Sequence, residues 1–155
     1  MNFLRIENID LDRVCNYIKN KFEDNQQVIN MYQSKDFLKM RIRNEIECGV
    51  VSEVDDEIVG VITAITSNKK GYWAMGVLYV NAQYRNKGTG KKLVMELEKD
   101  ICEKYESDFK MNIYVNEAKE ITLSLLKSLE YDIEGKIRGL SEEDNVIVLG
   151  KIINI

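Results

Sequence analysis

The stretch Val77-Leu78-Tyr79-Val80-Asn81-Ala82-Gln83-Tyr84-Arg85-Asn86-Lys87-Gly88-Thr89-Gly90-Lys91-Lys92 decides how this chain is read. An apolar run ends at Val80 and a polar loop with two glycines follows. From Gly88 onward Leu93, Leu97, Ile101 and Tyr105 recur at every fourth position, the stripe of an amphipathic helix. A strand therefore passes through a glycine loop into a helix start. The first amides of a helix have no internal acceptor and lie at the positive end of its dipole, so backbone that a ligand can approach closely there forms an anion site. From Asn81 to Met95 the chain carries Arg85, Lys87, Lys91 and Lys92 and no acid, inside a chain of net charge −4. The plainer alternative is that Gly88 and Gly90 only shape a tight turn and the bases are solvated. The coincidence of strand, glycines, charge and helix start favours a phosphate-bearing ligand.

Two common phosphate motifs do not fit. Gly90-Lys91 is followed by Lys92 rather than Ser or Thr, and Arg85 stands where a P-loop has its first glycine. A dinucleotide fingerprint fails because Leu93 occupies the place of its third glycine.

Outward from this stretch, Tyr72–Val80 reads as a strand, Phe109–Val115 as another, and the helix between them makes the pair parallel with a right-handed crossover. Upstream, Val50–Val54 and Ile58–Thr66 read as a hairpin around Asp55-Asp56-Glu57, with a further turn at Asn68–Gly71. The N-terminal third is helical. A short strand Phe3–Ile6 precedes a helix capped by Asp10 with Leu11, Val14, Cys15, Ile18 and Phe22 on its apolar face. Glu23–Gln33 is polar and weakly patterned. Ser34 caps a second helix carrying Leu38, Ile42 and Ile46 and ending near Gly49. Downstream, Ala118, Ile121, Leu125 and Leu129 form a helical stripe, and Tyr131–Arg138 with Asn145–Ile153 closes the chain as a strand pair around Ser141–Asp144. The expected class is α+β: a mixed, mostly antiparallel sheet flanked by helices, with one parallel βαβ unit.

Composition bounds the rest. At 155 residues the chain is read as a single domain over 1–155. With 45% hydrophobic and 31% charged residues it is a globule rather than a disordered chain. No apolar run reaches a membrane span, and Met1–Asp10 lacks the pattern of a signal peptide. The net charge argues against a general nucleic-acid binder. Cys15, Cys48 and Cys102 are odd in number and form no C-x-x-C pattern, which suggests reduced thiols, a cytoplasmic location and no metal. The chain has no histidine, so Ser-His-Asp and Cys-His catalysis and any imidazole base are excluded. The apolar terminal strand pair permits a homodimer.

The motif that remains is R-x-x-G-x-G, written Arg85-Asn86-Lys87-Gly88-Thr89-Gly90 after Leu78-Tyr79-Val80. With Val115-Asn116 and Leu129-Glu130-Tyr131 it resembles the GNAT superfamily of acyl-CoA-dependent N-acyltransferases, closely over Val50–Ile152 and in element order before that. The resemblance implies a sheet that splays between the strands ending at Val80 and Val115. Acyl-CoA would lie in the split, with its pantetheine arm on the backbone of Leu78, Tyr79 and Val80 and its pyrophosphate on the amides of Arg85, Asn86, Lys87, Gly88, Thr89 and Gly90. Lys87 or Lys91 would meet the other phosphate. Asn116 stands where the family often has a polar cofactor contact, although a plain N-cap reading serves it equally.

The same resemblance implies direct transfer of acetyl from acetyl-CoA, as co-substrate, to a primary amine of a small molecule or peptide. Here the family's pattern is broken. Its strand glutamate falls at Ala74, its helix tyrosine at Leu126, its helix-start asparagine at Lys119 and the glycine of its Leu-Gly-Phe at Glu130. Tyr114, beside the split, and Glu53, on the hairpin, are the replacement candidates for thiolate donor and base. Against each stands a simpler role, sheet packing for Tyr114 and a solvated surface position for Glu53. A catalytically degenerate acyl-CoA-binding or sensing domain is the alternative function.

Overall fold

Asp10 caps the first helix through its side chain, which accepts from Asp12 N at 3.0 Å, and Ser34 does the same for Asp36 N at 3.1 Å. These caps start α1 (Leu11–Lys21) and α3 (Lys35–Arg43), with the short α2 (Gln26–Met31) between them, capped by Asn25. The computed structural model describes residues 1–66, 71–139 and 145–155. The turns expected at Asn68–Gly71, apart from Gly71 itself, and at Ser141–Asp144 lie outside these.

The strands are β1 (Asn2–Arg5), β2 (Glu47–Val54), β3 (Glu57–Ile65), β4 (Tyr72–Val80), β5 (Phe109–Asn116), β6 (Asp132–Ile137) and β7 (Val146–Ile153). The long α4 (Thr89–Tyr105) joins β4 to β5, and α5 (Glu120–Ser128) follows β5. The strands form one seven-stranded sheet in the order β1-β2-β3-β4-β5-β7-β6, antiparallel except for the β4–β5 pair. This is the α+β class that the sequence predicts.

Two apolar clusters cover the two faces. α4 and α5 bury Leu93, Val94, Leu97, Ile101 and Leu126 against Trp73, Met111, Ile113 and Leu149. On the opposite face α1 and α3 bury Val14, Cys15, Ile18 and Leu38 against Val51, Val61 and Val77. Alternate residues of β2, β3 and β4 supply the two clusters, as the twofold period of a strand requires, while β5 and β7 contribute to the α4–α5 cluster alone.

Some expectations are corrected. α3 stops at Arg43 because Glu45 turns the chain with φ +58°, so Ile46 is not on the helix, and Glu47 already begins β2. The polar segment 23–33 holds α2, which buries none of its residues and so carries no periodic signal. On α5 the inward residue is Leu126, fully buried, whereas Ile121 is 76% exposed.

Candidate functional site

β4 and β5 pair over three rungs only, Tyr72↔Lys110, Trp73↔Met111 and Ala74↔Asn112, and beyond Ala74 they diverge. Between them opens a cleft of about 180 Å³ lined by Met75–Leu78 of β4, Ile113–Asn116 of β5, Phe22, Lys119 and Thr122. The divergence begins beside a bulge in β4, where Gly76 and Val77 both oppose Thr63 of β3. Asn81 N donates to Val59 O at 2.8 Å, and the alternation of an antiparallel ladder then turns the backbone groups of Leu78 and Val80 away from β3, toward the cleft.

At the end of β4 the chain makes a one-turn 3-10 helix over Ala82–Tyr84 and enters the glycine loop. Asn86 and Gly88 have positive φ, +60° and +82°. Gly88 is the N-cap of α4 and supplies no capping side chain, and the first bond back into the helix runs from Lys92 N to Gly88 O at 3.0 Å. The α4 amides before Lys92 therefore start at a backbone-only cap. Nothing stands within 4 Å of where a Gly88 Cβ would be, so the approach is open. Gly90 is different: a Cβ there would lie 3.1 Å from Leu125 Cδ1, which makes it the residue that lets α5 pack against the start of α4.

The cations of the loop divide. Arg85 donates from Nε to Val80 O at 2.7 Å and stacks over the Tyr79 ring at 5.1 Å, so its side chain closes the loop onto the end of β4. Lys92 lies over Phe3 at 4.7 Å, away from the loop. Lys87, over Tyr84 at 5.9 Å, and Lys91 are exposed beside the helix start. Thr89 is buried. Asn116 ends β5 on the cleft wall, and its side chain accepts from Ala118 N at 2.8 Å.

Tyr114 lines the cleft and is 51% exposed, so it is not a packing residue of the sheet. Burial and the neighbouring Tyr114 raise the Tyr72 phenol above its ordinary value. Glu53 is in another place. It lies on β2, outside the cleft lining, largely buried, and is bound to Arg13 Nη2 at 2.7 Å. It is thus a paired carboxylate, neither solvated nor beside Tyr114.

A family model described as the acetyltransferase (GNAT) family matches residues 11–120. The chain belongs to the GNAT acetyltransferase family. The GNAT fold extends beyond the matched stretch. An acetyltransferase of the GNAT family from Streptococcus pneumoniae superposes with a TM-score of 0.78 at 15% identity, over 99% of this chain and 100% of that one. The ribosomal-protein-S18-alanine N-acetyltransferase from Escherichia coli does so with a TM-score of 0.73 at 12% identity, over 99% and 94%. An aminoglycoside 6'-N-acetyltransferase complexed with coenzyme A gives a TM-score of 0.72 at 15% identity, over 98% and 97%. No curated protein matches the chain in sequence.

In this GNAT acetyltransferase two of the positions where the resemblance breaks, Ala74 and Leu126, lie outside the cleft lining. Ala74 puts a methyl group on the last paired rung, and Leu126 is fully buried in the α4–α5 cluster. Among the described residues no group of three His, Cys, Asp or Glu side chains is placed to hold a metal, and no helix is long and apolar enough to cross a membrane. Sequence reasoning missed a polar group behind the bulge, formed by Tyr32, Arg41, Glu47 and Thr63. A glutamate six residues from an arginine is its only signal in the sequence, and that spacing is common.

Proposed function

We propose that this GNAT acetyltransferase moves an acetyl group from acetyl-CoA to a primary amine on a small molecule or peptide. The observation that carries the reading is the three-rung β4–β5 join, which opens into a cleft along β4, the strand that runs on through the glycine loop into the backbone-capped start of α4. The cleft residues suit the parts of acyl-CoA. The cleft-facing backbone of Leu78 and Val80 on β4 offers hydrogen bonds to a pantetheine amide, although Val80 O is already engaged by Arg85. The open amides from Asn86 to Gly90 suit a pyrophosphate, with Lys87 and Lys91 beside it. Asn116 faces the cleft from β5.

In the reaction the neutral amine nitrogen bonds to the thioester carbonyl carbon, the C–S bond breaks, the amine loses a proton and the thiolate gains one. Tyr114, on the cleft wall beside Tyr72, is the candidate to give the thiolate its proton, and Lys119 is a second proton-bearing group in the same lining. The described cleft lining contains no carboxylate, which fits proton removal through water. Alignment of amine and thioester alone is worth roughly 7 kcal/mol or more in favourable cases.

Thermal unfolding with acetyl-CoA, coenzyme A and ATP tests the reading. A ligand at about 100 times its Kd adds about 2.7 kcal/mol of stability. A shift with both CoA species and little with ATP, followed by amine-dependent thiol release, supports acetyl transfer. A shift without thiol release for any amine returns the chain to the sensing role that Ala74 and Leu126 keep open. No shift with any of the three defeats the acyl-CoA assignment.

A further inference from the structure

We propose that Thr63, anchored by Tyr32 and Glu47, is a positioning residue that fixes the β4 bulge and so sets the shape of the acyl-CoA cleft; the inference rests on the acyl-CoA reading above. The bulge leaves one backbone donor of β4 without a ladder partner, and that donor is satisfied by a side chain: Val77 N donates to Thr63 Oγ1 at 3.1 Å. The hydroxyl can enter the bulge only because residue 76 is glycine, since a Cβ at Gly76 would stand 2.6 Å from Thr63 Oγ1.

Behind Thr63 the polarity of the bonds is set from one end. Glu47 accepts from Arg41 Nε at 2.7 Å on one oxygen and from the Tyr32 hydroxyl at 2.8 Å on the other. Burial beside this carboxylate pushes the Tyr32 phenol well above its ordinary value, so it remains a donor. With its proton committed to Glu47, Tyr32 Oη accepts from Thr63 Oγ1, 3.0 Å away, and Thr63 is left to accept from Val77. Arg41 is fixed in turn by Met31 O at 2.7 Å. Tyr32 and Thr63 are fully buried and Glu47 nearly so.

A charged pair is a costly way to fill a core, and its use here has a directional result. The chain of bonds runs from α3 through β2, the end of α2 and β3 to Val77. Gly76 and Val77 are cleft-lining residues at the point where β4 leaves β5. An apolar core in the same place would pack as densely but could not hold the Val77 amide, and the bulge would be free to slide along β4.

Calorimetric titration with coenzyme A tests the proposal, each variant being measured well below its own Tm. Thr63→Val keeps the volume and removes the hydroxyl, and it is expected to weaken binding about tenfold or more. Thr63→Ser restores the hydroxyl and should bind within about twofold of wild type. Tyr32→Phe cuts the anchor and should weaken binding in the same direction. A merely structural role would lower Tm and leave the affinity of the folded protein unchanged; unchanged affinity in Thr63→Val, or equal losses in Thr63→Val and Thr63→Ser, overturns the proposal. If Thr63→Val does not fold, Tyr32→Phe decides by the same criterion. Wild-type protein that does not bind coenzyme A overturns the acyl-CoA reading itself, and this inference with it.

Discussion

Gly88 holds φ +82° at the N-cap of α4 with open space where a side chain would project. A side chain there is strained by about 1–2 kcal/mol in a left-handed conformation, without any clash. Gly88→Glu should therefore leave the fold intact while placing an anion over the helix start, and coenzyme A binding by calorimetry should vanish. Unchanged affinity would remove the phosphate role from the loop. Tyr114 makes a separate prediction. If its hydroxyl protonates the thiolate, Tyr114→Phe lowers kcat about 100-fold or more with little change in KM, and a near wild-type rate in steady-state assays would reduce Tyr114 to a wall of the cleft. At this scale the sequence is explicit where backbone chemistry needs a rare residue, as at Gly88. It is silent where ordinary residues meet from distant positions: nothing in Tyr32, Glu47 or Thr63 taken singly announces their contact, and Glu53 shows its partner Arg13 only after folding.

Elements were readable in proportion to the apolar face they bury. β4 spans Tyr72–Val80 as its composition predicts, and α1 starts at the predicted Asp10 cap. α2 has no buried residue, hence no stripe, and the bulge at Gly76-Val77 is hidden because apolar residues surround it on both sides. Of the predicted α5 stripe Leu129 is buried and Leu125 packs against the core, whereas Ile121 is exposed and the adjacent Leu126, outside the stripe, is the fully buried residue. The contact between α4 and α5 is itself testable. Gly90→Ala adds a methyl group 3.1 Å from Leu125 Cδ1, but also gains about 1 kcal/mol of helix propensity, so its stability should stay near wild type. Gly90→Val adds two more methyl groups at the same contact and should cost about 1–3 kcal/mol by chemical denaturation. If both variants behave alike, the helices do not depend on this approach.

Across the whole molecule, two apolar clusters on opposite faces share one sheet, joined through β2, β3 and β4. We read residues 1–155 as one cooperative domain. The chain's one tryptophan, Trp73, is fully buried in the α4 side, whereas far-ultraviolet circular dichroism reports on every helix, so thermal unfolding followed by the two probes should coincide. Separated transitions would mean that the α1–α3 layer melts as its own unit. The same sheet has a mechanical seam. Four strands on one side and three on the other are held edge to edge by three parallel rungs, and past Ala74 and Asn112 the two halves of the β-structure stand apart. An extended chain lying in that gap, hydrogen-bonded to both edges, would act as a splint, and its departure after each turnover would reopen the joint.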